Sequence, residues 1–259
     1  MRLSLIAATL VAATCLGAAA RADTVAALIG DATLAHVDTA AKRVTKTVTI
    51  TGIDGSVLGI DVRPADGMLY AVISDGTVVT IDPMSGKATA KSKLDTMLGT
   101  GTAATVDFNP VADRLRIIGS DGTNLRANVD DGKVTKDGQL KFADADTMKG
   151  KTPKVMAGAY TNAFKGTKET ALFDIEASGA LLKQAPPNDG ILNTVGMLGM
   201  SGEAVAFDIL SDGQGGNQAW AMAGDTLYKV DLTTGKGGMA AKIAGVSGQV
   251  RDIAILPKM

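Results

Sequence analysis

Residues 68–87 read MLYAVISDGTVVTIDPMSGK, and this stretch predicts a β-hairpin followed by a second turn. An apolar run rich in β-branched residues comes first, then the turn Ser74-Asp75-Gly76, then an alternating run from Thr77 to Ile81. Glycine readily adopts the positive φ that a tight turn needs, and alternating apolar and polar residues are typical of a half-buried strand. The stretch therefore predicts two antiparallel strands joined by a short turn.

The same pattern recurs along the chain. Residues 219–236, AWAMAGDTLYKVDLTTGK, overlay the first copy almost residue for residue. Further copies lie at 114–133 and 25–42, and a weaker one lies at 170–184. Four copies are preceded by a further strand-like stretch, at 58–62, 104–108, 155–161 and 204–209. The copy at 25–42 has none, and a stretch of the same character lies at 250–257. With a fourth stretch after each hairpin, such as 44–50, this pattern predicts five four-stranded units.

The spacing of the repeat predicts the architecture. Asp38, Asp82, Asp130 and Asp231 are assigned the same place in their copies, which gives a period of about 48 residues. Propeller blades of four short strands need about 40–50 residues, so we expect an all-β, five-bladed β-propeller. The C-terminal strand should join the N-terminal blade, because a closed ring exposes no sheet edge. A β-sandwich is the competing fold, and one helix-like interruption is expected at residues 94–98.

Residues 1–22 have the pattern of a secretory signal peptide. An uncharged run over residues 3–20 follows a basic residue, and small residues near its end indicate cleavage after Ala22. A retained membrane anchor is the alternative, since about 18 apolar residues is the lower limit for a spanning helix. Cys15 would leave with the signal. We therefore expect a single exported domain, residues 23–259, in the periplasm or outside the cell and without disulfides.

Composition excludes several classes of function. The formal net charge is -1, so no basic surface is expected for nucleic acid or an anionic membrane. The chain has one His and one Cys, so it lacks the residues for a zinc site, haem ligation or a catalytic triad. We expect a monomer without stable membrane insertion and without a cofactor, apart from a divalent cation as an alternative.

Several phrases of the sequence resemble one bacterial family. These are residues 106–116, 124–128, 159–162, 184–190 and 250–252. Together they resemble the bacterial domain of unknown function 4394 family, and the similarity extends over the whole predicted mature chain. The resemblance implies an exported, propeller-like domain. Because the family's activity is unassigned, it transfers no catalytic residue.

A group of arginines is the first candidate for ligand binding. Arg114 and Arg116 are two apart and share one face of a strand, and a turn centred on Asp121 places Arg126 opposite Arg116. Like charges so placed need a counter-charge, which is either an anionic ligand or a local salt network. The acids considered for that network are Asp107, Asp113, Asp130 and Asp131. Further candidate ligand-binding residues are Asn109, Tyr160, Asn162, Asn188 and Asp189.

Four carboxylates are the second candidate group. Asp61, Asp107, Asp208 and Asp252 all fall on the first strand of a predicted blade, and such strands line the central channel of a propeller. Converging carboxylates bind hard cations or act as acid and base in glycoside hydrolysis. The alternative is structural, with some of them capping turns or pairing with Arg63 and Arg251.

Two functions of different class follow from these observations. The first is an exported, non-enzymatic binding or interaction module for a small anionic or polymeric ligand, or for a protein partner. The second is a carboxylate- or divalent-cation-dependent hydrolase of the glycoside type, with its site in the channel. The hydrolase needs two inward carboxylates within about 5–10 Å of each other in an open pocket. A purely structural envelope protein is a third possibility.

Overall fold

Five sheets, each built on four antiparallel strands, form a closed ring in the computed structural model, which describes residues 24–201 and 204–257. The predicted five-bladed β-propeller is therefore confirmed. The predicted signal peptide, residues 1–22, and Cys15 lie outside the described residues. Within the described part of the chain, no helix is both long and apolar enough to span a membrane.

Each blade follows the predicted strand pattern. Blade 1 contains β1 (Thr24–Ile29), β2 (Thr33–Asp38) and β3 (Arg43–Thr49). Blade 2 contains β4 (Val57–Val62), β5 (Leu69–Ile73), β6 (Thr77–Ile81) and β7 (Ala88–Lys93). Blade 3 contains β8 (Ala104–Asn109), β9 (Arg114–Gly119), β10 (Asn124–Ala127) and β11 (Val134–Lys136). The two-residue β12 (Lys141–Phe142) then precedes blade 4.

The second half of the ring repeats this order. Blade 4 contains β13 (Val155–Tyr160), β14 (Leu172–Glu176), β15 (Ala180–Gln184) and β16 (Ile191–Met197), with β12 added in parallel beside β16. Blade 5 contains β17 (Val205–Ser211), β18 (Asn217–Ala223), β19 (Thr226–Val230) and β20 (Gly237–Lys242). The last strand, β21 (Val250–Ile255), pairs with β1 and completes blade 1, as predicted. Blade 4 differs from the prediction in having this fifth, short strand.

The hydrophobic core is divided into five clusters, one between each pair of neighbouring blades. The inner three strands bury both faces, because each face of a blade packs against a neighbour, whereas the outer strands β3, β7 and β20 are largely exposed. The alternation of polar and apolar residues along a strand is therefore clearest in the fourth strand of a blade.

Residues 94–98 are not helical, so that expectation was wrong. The amide of Leu94 donates to the carbonyl of Gly76 and that of Asp95 to the carbonyl of Gly132, which ties the segment to two neighbouring turns. Leu94 is buried between blades 2 and 3. The apolar side chains that suggested a helix therefore pack onto the ends of two blades, and the main-chain donors are used there.

The assignment of Asp130 to the repeat was also wrong, because Asn128 occupies that place. The side chains of Asp38, Asp82 and Asp231 each accept the amide two residues further on, closing the turn after the third strand of the blade. In blade 3 the side chain of Asn128 accepts the amide of Asp130 instead. Asn and Asp serve this turn equally well, since both carry an oxygen at the same distance from the backbone.

Candidate functional site

Arg116 and Arg126 lie directly opposite each other on β9 and β10, as predicted. Their counter-charge is Asp137, which sequence reasoning missed. Its Oδ2 accepts from Arg116 Nη1 and from Arg126 Nε at 2.6 Å, and its Oδ1 accepts from Arg126 Nη2 at 2.8 Å. None of the four expected acids contributes an ion pair to either arginine in the described part of the chain. The position of Asp137, directly after a short outer strand, was the signal available in the sequence.

Arg116 is only 2% exposed and joins blade 3 to blade 4. Its Nε donates to Tyr160 Oη at 3.1 Å, and its Nη2 donates to Asn188 Oδ1 at 2.8 Å. Nη1 also donates to Asn124 Oδ1 at 2.8 Å. The structure therefore brings together four of the predicted ligand-binding residues, Arg116, Arg126, Tyr160 and Asn188, as partners in one network.

The remaining predicted residues make mainly local contacts, although the side chain of Asn109 also hydrogen-bonds with Tyr160. Arg114 donates to the carbonyls of Ala112 and Asp113, and the side chain of Asn109 accepts the amides of Val111 and Ala112. Asn162 exchanges hydrogen bonds with Asn217, which links the loop after β13 to blade 5. Asp189 is exposed in a 3₁₀ helix, Pro187–Asp189. Arg114, Asn162 and Asp189 are therefore not part of the Arg116 network.

A groove of about 410 Å³ opens between blades 3 and 4 beside this network. Asn109, Tyr160 and Gln184 line it together with Lys168 and Lys183, both of which are exposed. Gln184 is 1% exposed, and its Oε1 has no donor among the described residues. Neither lysine takes part in an ion pair within the described ranges. The groove therefore offers cationic groups, whereas the unpaired Oε1 of Gln184 is buried behind its wall.

The four candidate channel carboxylates are all buried on inner strands of blades 1, 2, 3 and 5. A carboxylate oxygen from each of Asp61, Asp107 and Asp208 can be chosen so that the three lie within 4.8 Å of one another. The expected pairing with Arg63 and Arg251 was wrong, and the two arginines have other partners. Arg63 forms ion pairs with Asp66, Asp113 and Asp130, and Arg251 pairs with Asp31.

Each channel carboxylate links its own blade to the next one around the ring. In every case one oxygen accepts a main-chain amide of the neighbouring inner strand. Asp252 accepts the amide of Ile60 at 2.9 Å, Asp61 that of Phe108 at 2.7 Å, Asp107 that of Tyr160 at 2.9 Å, and Asp208 that of Ile255 at 2.7 Å. These bonds join neighbouring blades at four of the five interfaces between blades. At the fifth, between blades 4 and 5, the Asn162–Asn217 pair provides a polar link.

Burial and mutual repulsion change the acidity of this group. Burial raises the pKa of Asp61 and of Asp107 well above the usual value, and the negative charges of the neighbouring carboxylates raise both further. Burial raises the pKa of Asp208 to about 6, and main-chain donors oppose the shift. The group therefore holds protons or a counter-ion close to neutral pH.

A further buried acid, Asp174, was not singled out by sequence reasoning. It lies on β14 with 0% exposure, and neither oxygen has a donor among the described residues. Burial raises its pKa to about 8, and the positive charge of Arg116 lowers it. The sequence signal that could have identified Asp174 is a single acidic residue inside the apolar run of residues 171–175.

The closed ring of five blades defines this chain as a β-propeller with an acidic central channel. The chain belongs to the family described as domain of unknown function (DUF4394), which matches residues 33–254. The resemblance of the sequence to this family is thereby confirmed.

A solved structure with a TM-score above 0.5 shares the fold. A protein of unknown function from Bacteroides thetaiotaomicron VPI-5482 aligns with 92% of this chain at a TM-score of 0.52 and 17% identity, and this chain spans 66% of its length. A protein of unknown function from Bacteroides caccae aligns with 92% of this chain at a TM-score of 0.47 and 10% identity, and the alignment covers 100% of that protein. No curated protein sequence matches this chain.

Proposed function

We propose that this chain is an exported, non-enzymatic binding module whose ligand lies in the groove between blades 3 and 4. The ligand class we infer is a hydroxyl-bearing anion, such as an acidic saccharide. The observation that carries the proposal is the pair of exposed lysines that line the groove, Lys168 and Lys183, neither of which forms an ion pair among the described residues. A ligand carboxylate pairs with an ammonium group, and the polar side chains of Asn109 and Tyr160, which also line the groove, are hydrogen-bonding groups suited to a ligand hydroxyl.

The charges in and beside the groove support an anionic ligand. Arg116 and Arg126 share one carboxylate, that of Asp137, so the three groups together retain one positive charge. The two rim lysines add two positive charges, and Glu169, which also lines the groove, removes one. This local excess stands against a formal net charge of -1 for the whole chain. Fixed positive charge at the wall of a cleft raises the local concentration of anions.

The scaffold supports binding because the groove is held rigidly. Arg116 joins its two walls by contacts to Tyr160 and Asn188, and Asn124 donates to the carbonyls of Gly138 and Pro187. A preformed groove loses little conformational entropy when a ligand binds. Loops on such a frame carry the contacts that define specificity.

Calorimetry and thermal melting with three probes test the proposal. Inorganic phosphate, citrate and trigalacturonate represent a bare anion, a small hydroxy acid and an acidic saccharide. We expect trigalacturonate to raise the melting temperature most, because a ligand that binds only the folded state stabilises it. Lys183→Gln should weaken binding at least about five-fold, whereas Lys136→Gln, an exposed lysine outside the groove, should not. Equal effects of the two variants would contradict the proposal.

A hydrolase is the second candidate, and the proximity of the channel carboxylates favours it. Oxygens of Asp61, Asp107 and Asp208 lie within 4.8 Å of one another, which is close to the separation of about 5–5.5 Å between the carboxyl groups of retaining glycosidases. The opposing observation is their burial, since a substrate has to reach both groups. Release of nitrophenol from nitrophenyl glycosides, lost in Asp107→Asn, would support hydrolysis. Absence of turnover by a protein that binds a saccharide would favour the binding module.

A further inference from the structure

A cavity of about 450 Å³ opens between blades 1 and 2, away from the groove between blades 3 and 4. The apolar residues that line this blade 1–2 cavity are Met68, Leu69, Ile81, Pro83, Leu256 and Pro257. Lys87 lines it as well. We propose that the blade 1–2 cavity binds a long-chain carboxylate, such as a free fatty acid, with the alkyl chain against the apolar wall and the carboxylate at Lys87.

The corresponding corner between blades 2 and 3 is closed by an ion-pair network. Arg63 directly follows β4 and precedes a proline. Its guanidinium group pairs with Asp113, which directly precedes β9, at 2.6 Å, and with Asp130, in the turn after β10, at 2.9 Å. One long side chain of blade 2 therefore fills this corner of blade 3.

All three of these positions are apolar at the corner between blades 1 and 2. Leu256 directly follows β21 and precedes a proline, which is the place of Arg63 in blade 2. Met68 directly precedes β5, and Met84 lies two residues past the aspartate that closes the turn after β6, which are the places of the two aspartates in blade 3. Met68 and Met84 are each 44% exposed. Leucine is shorter than arginine and carries no charge, so this corner is an apolar cavity.

The extent of exposed apolar surface favours a small ligand over a protein partner. The other large apolar residues that are exposed in the described part of the chain, Val111, Met197 and Met239, belong to blades 3, 4 and 5. Met68 and Met84 alone fall far short of the roughly 800 Å² per partner that a stable protein interface buries. A concave space of about 300–1,000 Å³ is typical of small-molecule sites, and flexible methionine side chains adapt to an alkyl chain.

The charges around the cavity favour an anionic end group. Lys87 is exposed and forms no ion pair within the described ranges. Asp82 also lines the cavity, but it accepts the amide of Met84 and the hydroxyl of Ser85, and these bonds together with the positive charge of Lys46 lower its pKa. Asp82 and Lys46 balance each other, so Lys87 leaves one positive charge for a ligand carboxylate.

The wall that carries Lys87 is held in place by blade 1. His36, Lys46 and Thr51 each donate a hydrogen bond to a main-chain carbonyl of the turn 82–87, at 2.7, 2.6 and 3.0 Å. A wall fixed in this way loses little conformational entropy when a ligand binds.

Titration calorimetry with octanoate, decanoate and laurate, each below its critical micelle concentration, tests the site on the purified protein expressed as the full chain. We expect one ligand per chain and an affinity that rises about four-fold for each added methylene, because each methylene leaves water on binding. Decyltrimethylammonium, with the alkyl length of decanoate and the opposite charge, should bind at least about three-fold more weakly.

Two pairs of variants separate the apolar wall from the charge. Met68→Asp should weaken decanoate binding at least about 10-fold, since it removes apolar contact and adds a like charge, and Met239→Asp, an exposed methionine of blade 5, should not. Lys87→Gln should weaken it about three-fold. Lys133→Gln, which changes the lysine at the same place of the blade 3 turn, should leave it unchanged.

Three results would overturn the site. The first is the absence of laurate binding by the folded wild-type protein, and the second is equal decanoate affinity of Met68→Asp and Met239→Asp. The third is a dimer in sedimentation that Met68→Asp dissociates, which would assign the cavity to a second copy of the chain. Lys183→Gln should bind decanoate as the wild type does, so failure of the groove between blades 3 and 4 and failure of this cavity are distinguishable.

Discussion

At the residue scale, Asp174 links the stability of the protein to pH. Its folded-state pKa is raised to about 8 by burial, so the folded protein keeps a proton that the unfolded chain has lost above about pH 4. The free energy of unfolding therefore decreases by about 1.4 kcal/mol per pH unit between pH 5 and 7 because of this group. Below the pKa that Asp174 has in the unfolded chain, the group does not affect the free energy of unfolding. Above it, the loss of stability caused by Asp174 grows with pH until the pH passes the pKa of the group in the folded protein.

The first prediction is that Asp174→Asn stabilises the protein at pH 7 and flattens this pH dependence. An amide does not titrate, so the slope between pH 5 and 7 should fall by about 1.4 kcal/mol per unit relative to wild type. Urea unfolding at several pH values measures it. Asp144→Asn, whose side chain is 98% exposed, is the control and should unfold with the wild-type slope. An unchanged slope in Asp174→Asn would show that Asp174 is ionised in the folded protein.

The second prediction concerns the missed counter-charge. Asp137 is 5% exposed and bonded to both Arg116 and Arg126, so Asp137→Asn leaves two guanidinium groups without an anion. We expect a loss of about 3 kcal/mol in the free energy of unfolding, because breaking a buried ion pair leaves an uncompensated charge. Asp131→Asn, an exposed neighbour, should change it by less than about 0.5 kcal/mol. Similar urea midpoints for the two variants would contradict the role of Asp137.

At the scale of elements, the turns after the third strands connect neighbouring blades. Gly86 lies in the turn after β6 with φ +75°, and a Cβ there would meet the carbonyl oxygen of Thr49 at 2.3 Å. Gly67 has nearly the same φ, +74°, with nothing within 4 Å of a Cβ. The two glycines therefore share the conformational requirement and differ in the contact with blade 1.

The third prediction uses this pair. Gly67→Ala should cost about 1 kcal/mol, the strain of a positive φ alone, and Gly86→Ala should cost at least about 2 kcal/mol more, because backbone has to move. Thermal and urea unfolding of both variants give the difference. Equal losses would mean that the turn after β6 shifts freely and does not fix the position of blade 2 against blade 1.

At the scale of the whole molecule, ring closure depends on β21. Val25 lies opposite Ile255 across the β1–β21 pair, and the amide of Leu256 donates to the carbonyl of Thr24. Asp252 on β21 also accepts the amide of Ile60, so this strand holds blade 1 to blade 2. Its loss would open two core clusters to solvent.

The fourth prediction is that a chain ending at Gln249 has no cooperative unfolding transition, because an unclosed ring exposes apolar blade faces and the edge of β1. A circular permutant that places residues 250–257 directly before Thr24 and opens the chain at Gln214 is the control. It retains every strand, and its new ends lie in an exposed turn. Circular dichroism and calorimetry measure both. A cooperative transition in the truncated chain would contradict the role of β21.

Local pattern in the sequence determined the strands, the number of blades and the closing strand. Apolar alternation and turn residues such as Gly76 act on their immediate neighbours, and a repeat of about 48 residues is visible without any knowledge of contacts. The same reasoning assigned Asp61, Asp107, Asp208 and Asp252 to inner strands, because that assignment requires only the order of strands within a blade.

Only the tertiary structure decided which side chains meet. Asp61 and Asp208 share the channel although 146 residues separate them, and Arg116 reaches Asn188 across a blade interface. Such contacts depend on the angle and radius at which blades pack, and no local pattern contains that geometry. Asp137, and none of the four acids expected from the sequence, is the counter-charge of the two arginines, and Asp174 is fully buried. Both outcomes have the same reason, because burial and pairing are properties of the assembled ring.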